Sequence, residues 1–222
     1  MGRKITAISA QKRNPQRVNI YLDDEFAFGL SRIVAAWLYV GQELDQEKVA
    51  ALQLDDTQEA AYQQALNFLS YRSRTESEVR VYLRKRGLEE SNIQAVLERL
   101  QRSGLLNDQR FAQDWVENRS EYRPRGRRAL QYELRQKGIT EEAIQAAVSD
   151  LDEEELAYQA ALKKAGHLRT KGWLEFRQKM YAFLSRRGFS YEISNPVIAR
   201  LWHELNDGSQ SDNNFTSEEV ET

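Results

Sequence analysis

The sequence predicts a mainly α protein: three tandem three-helix repeats forming a curved, elongated array, preceded by a small N-terminal β-hairpin/α segment. Three observations carry this reading. Glycines at 87, 138 and 188 recur 51 and 50 residues apart, each with a leucine four residues before it (Leu83, Leu134, Leu184) and another thirteen after it (Leu100, Leu151, Leu201). A basic residue, Arg86, Lys137 or Arg187, precedes each glycine. The stretches around these landmarks are rich in Leu, Arg, Glu and Gln, which are good helix formers, whereas the first 30 residues alternate apolar and polar with the period of a strand.

In chain order, KITAISAQ, RVNIYLDD and EFAFGL read as short strands, the first two parted by turn residues of the KRNPQ type. SRIVAAWLYV and DQEKVAAL read as two helices around Gly41, which closes an N-terminal segment over residues 1–55. Repeats are expected at 56–107, 108–154 and 155–206. Each opens with a helix: TQEAAYQQALNFLS, DQRFAQDWVENR or EEELAYQAALKKA. A second helix follows and stops at the glycine, which takes the left-handed conformation other residues avoid. A third starts about two residues later, with Thr140 and Ser190 as cap residues in repeats 2 and 3, while Thr75 and Glu78 form a capping box for the second helix of repeat 1. Units of about 50 residues bury little surface alone, so stacking on neighbours should supply much of their stability.

The third repeat departs twice. Arg169 precedes Leu184 by 15 residues, against 11 between Arg72 and Leu83 or Arg123 and Leu134, so its second helix should be one turn longer. Pro196 requires either a late helix start capped by Asn195 or a kink. Residues 207–222, NDGSQSDNNFTSEEVET from Asn206 onward, are acidic and nearly without apolar side chains, and are expected to be disordered.

Composition narrows function further. The 222 residues include no cysteine, which removes disulfides, thiol catalysis and Cys-ligated zinc and fits a reducing cytosol. No apolar run approaches membrane-span or signal-peptide length, so no membrane association is expected. The net charge of −2 conceals segregation. Residues 72–86 hold six basic and two acidic side chains, 119–137 seven and two, and 163–187 eight and one. Acid gathers at 43–59, 150–155 and 204–222. A segregated field can steer a polyanion even when the sum is near zero.

Catalytic chemistry has little support. His167 and His203 lack partners at useful spacing, and no glycine-rich phosphate loop, nucleophile elbow or calcium loop is present. The chain reads as a non-enzyme with no cofactor or metal. The basic clusters offer more. Arg72, Arg74, Arg123, Arg125, Arg127, Arg128, Arg169 and Lys171 recur before or at the start of the second helix of each repeat. A solvated helix face is the bland explanation. However, cations at a helix N-terminus oppose its dipole, so Arg125, Arg127 and Arg128 ask for an anion. Arg135 and Lys137, at the far end of the same helix, complete the candidate DNA- or partner-binding set. Tyr71 and Tyr122 precede the first two clusters and could stack or pack, while Phe111 and Trp115, four residues apart, are assigned to the core.

GLLNDQRFAQDWVENR, then YRPRGRRALQYELRQKGI with its echoes on either side, resembles the RecX family of recombination regulators, and the resemblance covers nearly the whole chain. It implies a bacterial cytoplasmic protein, expected to act as a monomer, that binds the RecA recombinase filament on single-stranded DNA. Such a protein would lie in the filament groove, lower ATPase and strand-exchange activity, and favour disassembly. The family has no catalytic residues to carry over; its basic surface maps onto Arg123, Arg125, Arg127 and Arg128, and onto their equivalents in the other repeats. The alternative is a DNA-binding transcriptional regulator built from helix-turn-helix-like units. It would need a base-reading helix, but the third helices start acidic or apolar (ESNIQAVLERLQ, EEAIQAAVSDL, YEISNPVIARL).

Overall fold

The structure, a computed structural model, describes residues 2–168 and 171–211. It divides into two compact units, Met1–Asn107 and Asp108–Thr222.

In the first unit, β1 (Arg3–Gln11), β2 (Asn14–Leu22), β3 (Glu25–Ser31) and β4 (Glu43–Leu44) form an antiparallel sheet in the order β3-β2-β1-β4. Alternation places Ile5, Val18, Ile20, Leu22, Phe28 and Leu30 on one buried face. β2 turns into β3 through Asp23 and Asp24, both left-handed at φ 50 and 66, as a tight mirror-image hairpin turn requires. Asp23 holds the corner by accepting from the Lys4 amide (3.0 Å) and the Arg3 guanidinium (2.9 Å).

The two helices expected around Gly41 are not both present. IVAAWLYV forms only a single 3-10 turn, Val34–Trp37, before Leu38 extends. Gly41, at φ 100, then steers the chain back to the sheet, where its amide meets the Ile5 carbonyl at 2.8 Å. DQEKVAAL is instead the start of α1 (Gln46–Leu69), a continuous 24-residue helix that runs through position 55 into TQEAAYQQALNFLS. Asp45 caps it, accepting from the Lys48 amide at 2.8 Å. No Gly or Pro lies between 46 and 69 to interrupt it. Asp56 is used as a tie, accepting from Arg17 (2.7 Å) and the Ser31 amide (2.6 Å), which fastens α1 to the sheet.

α1 continues into repeat 1 with α2 (Glu76–Arg84) and α3 (Glu90–Arg102). Ala61, Ala65, Val79, Leu83, Ile93, Val96, Leu97 and Leu100 make its core. Glu59 is buried against this core and accepts from Arg99 (2.6 Å), whose guanidinium also lies 3.7 Å over the Tyr62 ring.

The second unit holds α4 (Asp108–Tyr122), α5 (Arg127–Gln136) and α6 (Glu141–Val148), then α7 (Glu153–Ala165), α8 (Trp173–Arg186) and α9 (Tyr191–Ser211). Leu130, Leu134, Ile144 and Val148 centre the core of repeat 2; Phe176, Met180, Leu184 and Leu201 centre that of repeat 3. Phe111 is buried and Trp115 half-buried beside it at a ring distance of 5.9 Å, in line with their core assignment, whereas Leu105 stays exposed.

Gly87, Gly138 and Gly188 all take positive φ (81, 77 and 88). After Gly138 and Gly188 the next amide returns to the conserved-spacing leucine, Ile139 to Leu134 and Phe189 to Leu184 (both 3.2 Å), which closes a Schellman motif and explains that leucine's fixed place. At 14 residues α8 exceeds α2 (9) and α5 (10) by about the expected turn. The late start at Asn195 does not occur. Instead, α9 begins at Tyr191 with Ser190 accepting from the Ile193 amide, and Pro196 lies inside the helix. α9 also runs beyond 206 to Ser211, into the segment expected to be disordered, and residues 212–222 of that segment lie outside the described residues.

Candidate nucleic-acid interface

The site is best built from the turn between α4 and α5. Pro124 and Gly126 are buried in it, so Arg123, Arg125, Arg127 and Arg128 emerge from a fixed frame. The frame is set by repeat 3. The Gly126 amide donates to the Arg187 carbonyl at 2.9 Å, and the backbones approach so closely that a Cβ on Gly126 would lie 2.4 Å from the Gly188 carbonyl oxygen. The Arg187 guanidinium reaches back to the Pro124 carbonyl at 3.1 Å and lies 4.6 Å over the Phe183 ring.

Two internal carboxylates answer the helix-dipole objection. Glu153 accepts from the Arg127 amide at 2.8 Å, so an anion sits on the first turn of α5, and it also pairs with the Arg127 side chain. Arg127 further donates to the Val148 carbonyl, which ties α5 to the end of α6. Glu133 serves Arg125 (2.9 Å), Arg119 (3.0 Å) and the Trp115 indole (2.9 Å) together. Arg127 therefore acts as an internal strut, and Arg125 shares a carboxylate.

Arg123 and Arg128 differ. Both are exposed and make no ion pair or side-chain hydrogen bond among the described residues. Arg187 has only a carbonyl and an aromatic face, and no carboxylate among the described residues. Burial, with the like charges of Arg125 and Arg123 beside it, holds its pKa below the ordinary guanidinium value.

The remaining candidates are more committed. Arg72 forks onto Glu78 (3.1 Å to each oxygen). Arg74 lies 4.0 Å over Phe68, which stacks on Tyr82 at 4.0 Å, with Arg86 4.2 Å beyond, so this arginine belongs to an aromatic column. Arg135 forks onto Glu141 (2.9 and 2.8 Å), and Lys137 lies 5.4 Å from the Trp115 ring centre. Lys171 pairs with Glu175 at 3.4 Å, and Arg169 lies outside the described residues.

The repeat register explains the contrast. Phe68, Arg74, Tyr82 and Arg86 of repeat 1 correspond to Arg119, Arg125, Glu133 and Lys137 of repeat 2, so a stacked aromatic pair in one is an ion pair in the other. Likewise Glu78, which neutralises Arg72, corresponds to Ala129, which leaves Arg123 without a carboxylate among the described residues. Arg187, Glu133 and Glu153 were absent from the candidate set. The signals for the first two were present: Arg187 precedes the third glycine, and Glu133 stands where the flanking repeats carry Tyr82 and Phe183. Glu153 had none, because its role depends on how α7 meets α5.

Family models cover most of the chain: the regulatory protein RecX N-terminal domain at residues 3–45, and the first, second and third RecX three-helix domains at 61–100, 107–148 and 152–198. Regulatory protein RecX of Bacillus licheniformis is 36% identical over 93% of this chain and 80% of its own length; that of Bacillus subtilis is 34% identical over 94% and 81%. A crystal structure of regulatory protein RecX superposes with a TM-score of 0.75 at 32% identity, covering 89% of this chain and 98% of that one. RecX from Lactobacillus salivarius gives a TM-score of 0.61 at 28% identity, over 66% and 97%. With its N-terminal sheet and three repeats each matched in register, the chain belongs to the RecX family of regulatory proteins.

Proposed function

We propose that this chain is a non-catalytic modulator of the RecA recombinase, acting as an inhibitor in the bacterial cytoplasm. It binds as a monomer to the RecA filament on single-stranded DNA, lies in the filament groove, and lowers ATP hydrolysis and strand exchange. Family membership supports the partner. The observation that carries the mode of binding is the uncompensated charge where repeats 2 and 3 meet, with Arg123 and Arg128 of repeat 2 and Arg187 of repeat 3 facing no carboxylate among the described residues. Repetition suits a helical filament, since similar units can meet successive protomers. Bound in this way, the protein restrains the protomer movements that accompany ATP turnover.

The transcription-regulator alternative is less well supported. α3 and α6 begin with Glu90 and Glu141, an unfavourable lead into a phosphate-lined groove. Titration of the protein into RecA hydrolysing ATP on single-stranded DNA tests the proposal. Hydrolysis should fall in proportion to the bound protein; an unchanged rate at several-fold excess over filament sites would overturn it.

A further inference from the structure

We infer that Tyr122, Arg123 and Arg187 form a seat for one nucleotide of single-stranded DNA, with the tyrosine ring stacked on the base and the two guanidiniums on the flanking phosphates. The inference rests on the filament reading for where such a strand comes from, but the seat itself is argued from the geometry at the junction of repeats 2 and 3.

Tyr122 is the last residue of α4 and is 64% exposed, so its ring packs into no core. Arg123 follows it directly, exposed and without a side-chain partner among the described residues. Arg187 enters from the α8–α9 turn and donates to the Pro124 carbonyl, so its guanidinium meets the loop between Arg123 and Arg125. The Gly126–Gly188 approach locks the two turns together, so Arg187 is held in place close enough to feel the charge of Arg123, and only the Arg123 side chain has to be ordered on binding. Burial and its arginine neighbours lower the Arg187 pKa, the situation of a cation that an incoming anion would relieve.

An aromatic face beside fixed cations is the arrangement that holds single strands, because every unstacked base offers a ring face and every nucleotide a phosphate. A duplex hides those ring faces, and an acidic protein surface would use the arginines but leave the tyrosine ring idle. Repeat 1 carries the same pair, Tyr71 (83% exposed) and Arg72, yet Glu78 occupies that guanidinium. Ala129 at the corresponding place in repeat 2 leaves room instead, and it packs under Gly188. The tyrosine–arginine pair of repeat 1 is thus closed by Glu78, while that of repeat 2 is open.

The test uses the full chain without recombinase, a labelled oligothymidylate, and an abasic oligodeoxynucleotide of equal length, read by fluorescence anisotropy. Tyr122→Ala should weaken oligothymidylate binding about tenfold and leave abasic binding unchanged, with Tyr122→Phe restoring the wild-type value. Arg123→Gln should weaken both ligands and flatten the log–log salt slope by about 0.7, the loss of one phosphate contact on a single strand. Arg123 makes no ion pair or side-chain hydrogen bond among the described residues, so that variant should keep the wild-type unfolding midpoint; Arg187→Gln should reproduce its salt effect. Wild-type binding by Tyr122→Ala and Arg123→Gln would overturn the seat. So would intact strand binding joined to lost ATPase inhibition, which would assign the cations to an acidic face of the recombinase. Lost strand binding with full inhibition would uphold the seat and refute the view that the filament is held through it.

Discussion

Alanine at three glycines separates backbone strain from the packing of one repeat on the next. Gly126 has φ −72 and ψ 160, ordinary extended backbone for any residue, so Gly126→Ala brings no conformational strain. Its new Cβ would meet the Gly188 oxygen at 2.4 Å, the Gly188 carbon at 2.6 Å and the Phe189 amide at 2.7 Å. All three are backbone atoms, so no side chain can swing aside and the turns must part by about 1 Å, at a cost of about 1–3 kcal/mol. Gly87→Ala is the converse: φ is 81 and nothing lies within 4 Å, which leaves only the left-handed penalty of about 1–2 kcal/mol. Gly188→Ala combines φ 88 with a Cβ 2.5 Å from that of Ala129, and should lose about 2–5 kcal/mol. Urea unfolding measures each loss. Circular dichroism at the helix bands reads both units, Gly87 lying in the first and Gly126 and Gly188 in the second, while Trp115, Trp173 and Trp202 report on the second unit alone by fluorescence. A Gly126→Ala unfolding free energy within about 0.5 kcal/mol of wild type would refute the close approach of the two turns. A Gly188→Ala loss no larger than that of Gly87→Ala would do the same.

Other expectations follow from the carboxylates. Glu133→Ala strips the acceptor from Arg119, Arg125 and the Trp115 indole, and should destabilise the second unit by about 2–3 kcal/mol with a shift in tryptophan emission. Glu153→Gln removes the charge at the α5 N-terminus and from the Arg127 pair, with an expected loss of about 1 kcal/mol by urea unfolding. Acid should weaken the fold. Burial works to raise the Glu59 pKa, but hydrogen bonds from Gln63 and Arg99 outweigh it and hold the group below the ordinary carboxylate value; Arg84 and Arg80 lower Glu90, and Arg135 lowers Glu141. Groups depressed in the folded state contribute stability above their unfolded pKa and lose it as pH falls through the folded one. Stability measured downward from neutral should therefore drop below the usual carboxylate range, and Glu59→Gln should make that drop shallower.

Much of this was legible in the sequence because a repeat is its own alignment. The glycine–leucine spacing located the second and third helices of every unit, and the deeper meaning of that leucine, acceptor of the returning amide, appeared only with the backbone bonds at Leu134 and Leu184. IVAAWLYV misled because an apolar run reads as a helix to be buried, whereas here only Ala35 is buried, Ile33, Trp37, Tyr39 and Val40 stay exposed, and Gly41's tie to Ile5 returns the chain to the sheet. The arginines were found by charge alone, but charge could not sort them. Sorting needed tertiary partners: Glu153 from α7 for Arg127, Phe68 for Arg74, and nothing among the described residues for Arg123 and Arg128.

The central claim is that the free cations of repeat 2 hold the recombinase filament. Co-sedimentation of RecA assembled on single-stranded DNA with wild-type protein and with the Arg123→Glu, Arg128→Glu double variant tests it most directly. Both side chains are exposed and unpaired among the described residues, so the variant should keep its helicity and unfolding midpoint. The account predicts that wild-type protein pellets with the filament and the variant stays largely in the supernatant. A folded variant that pellets as completely as wild type would contradict it.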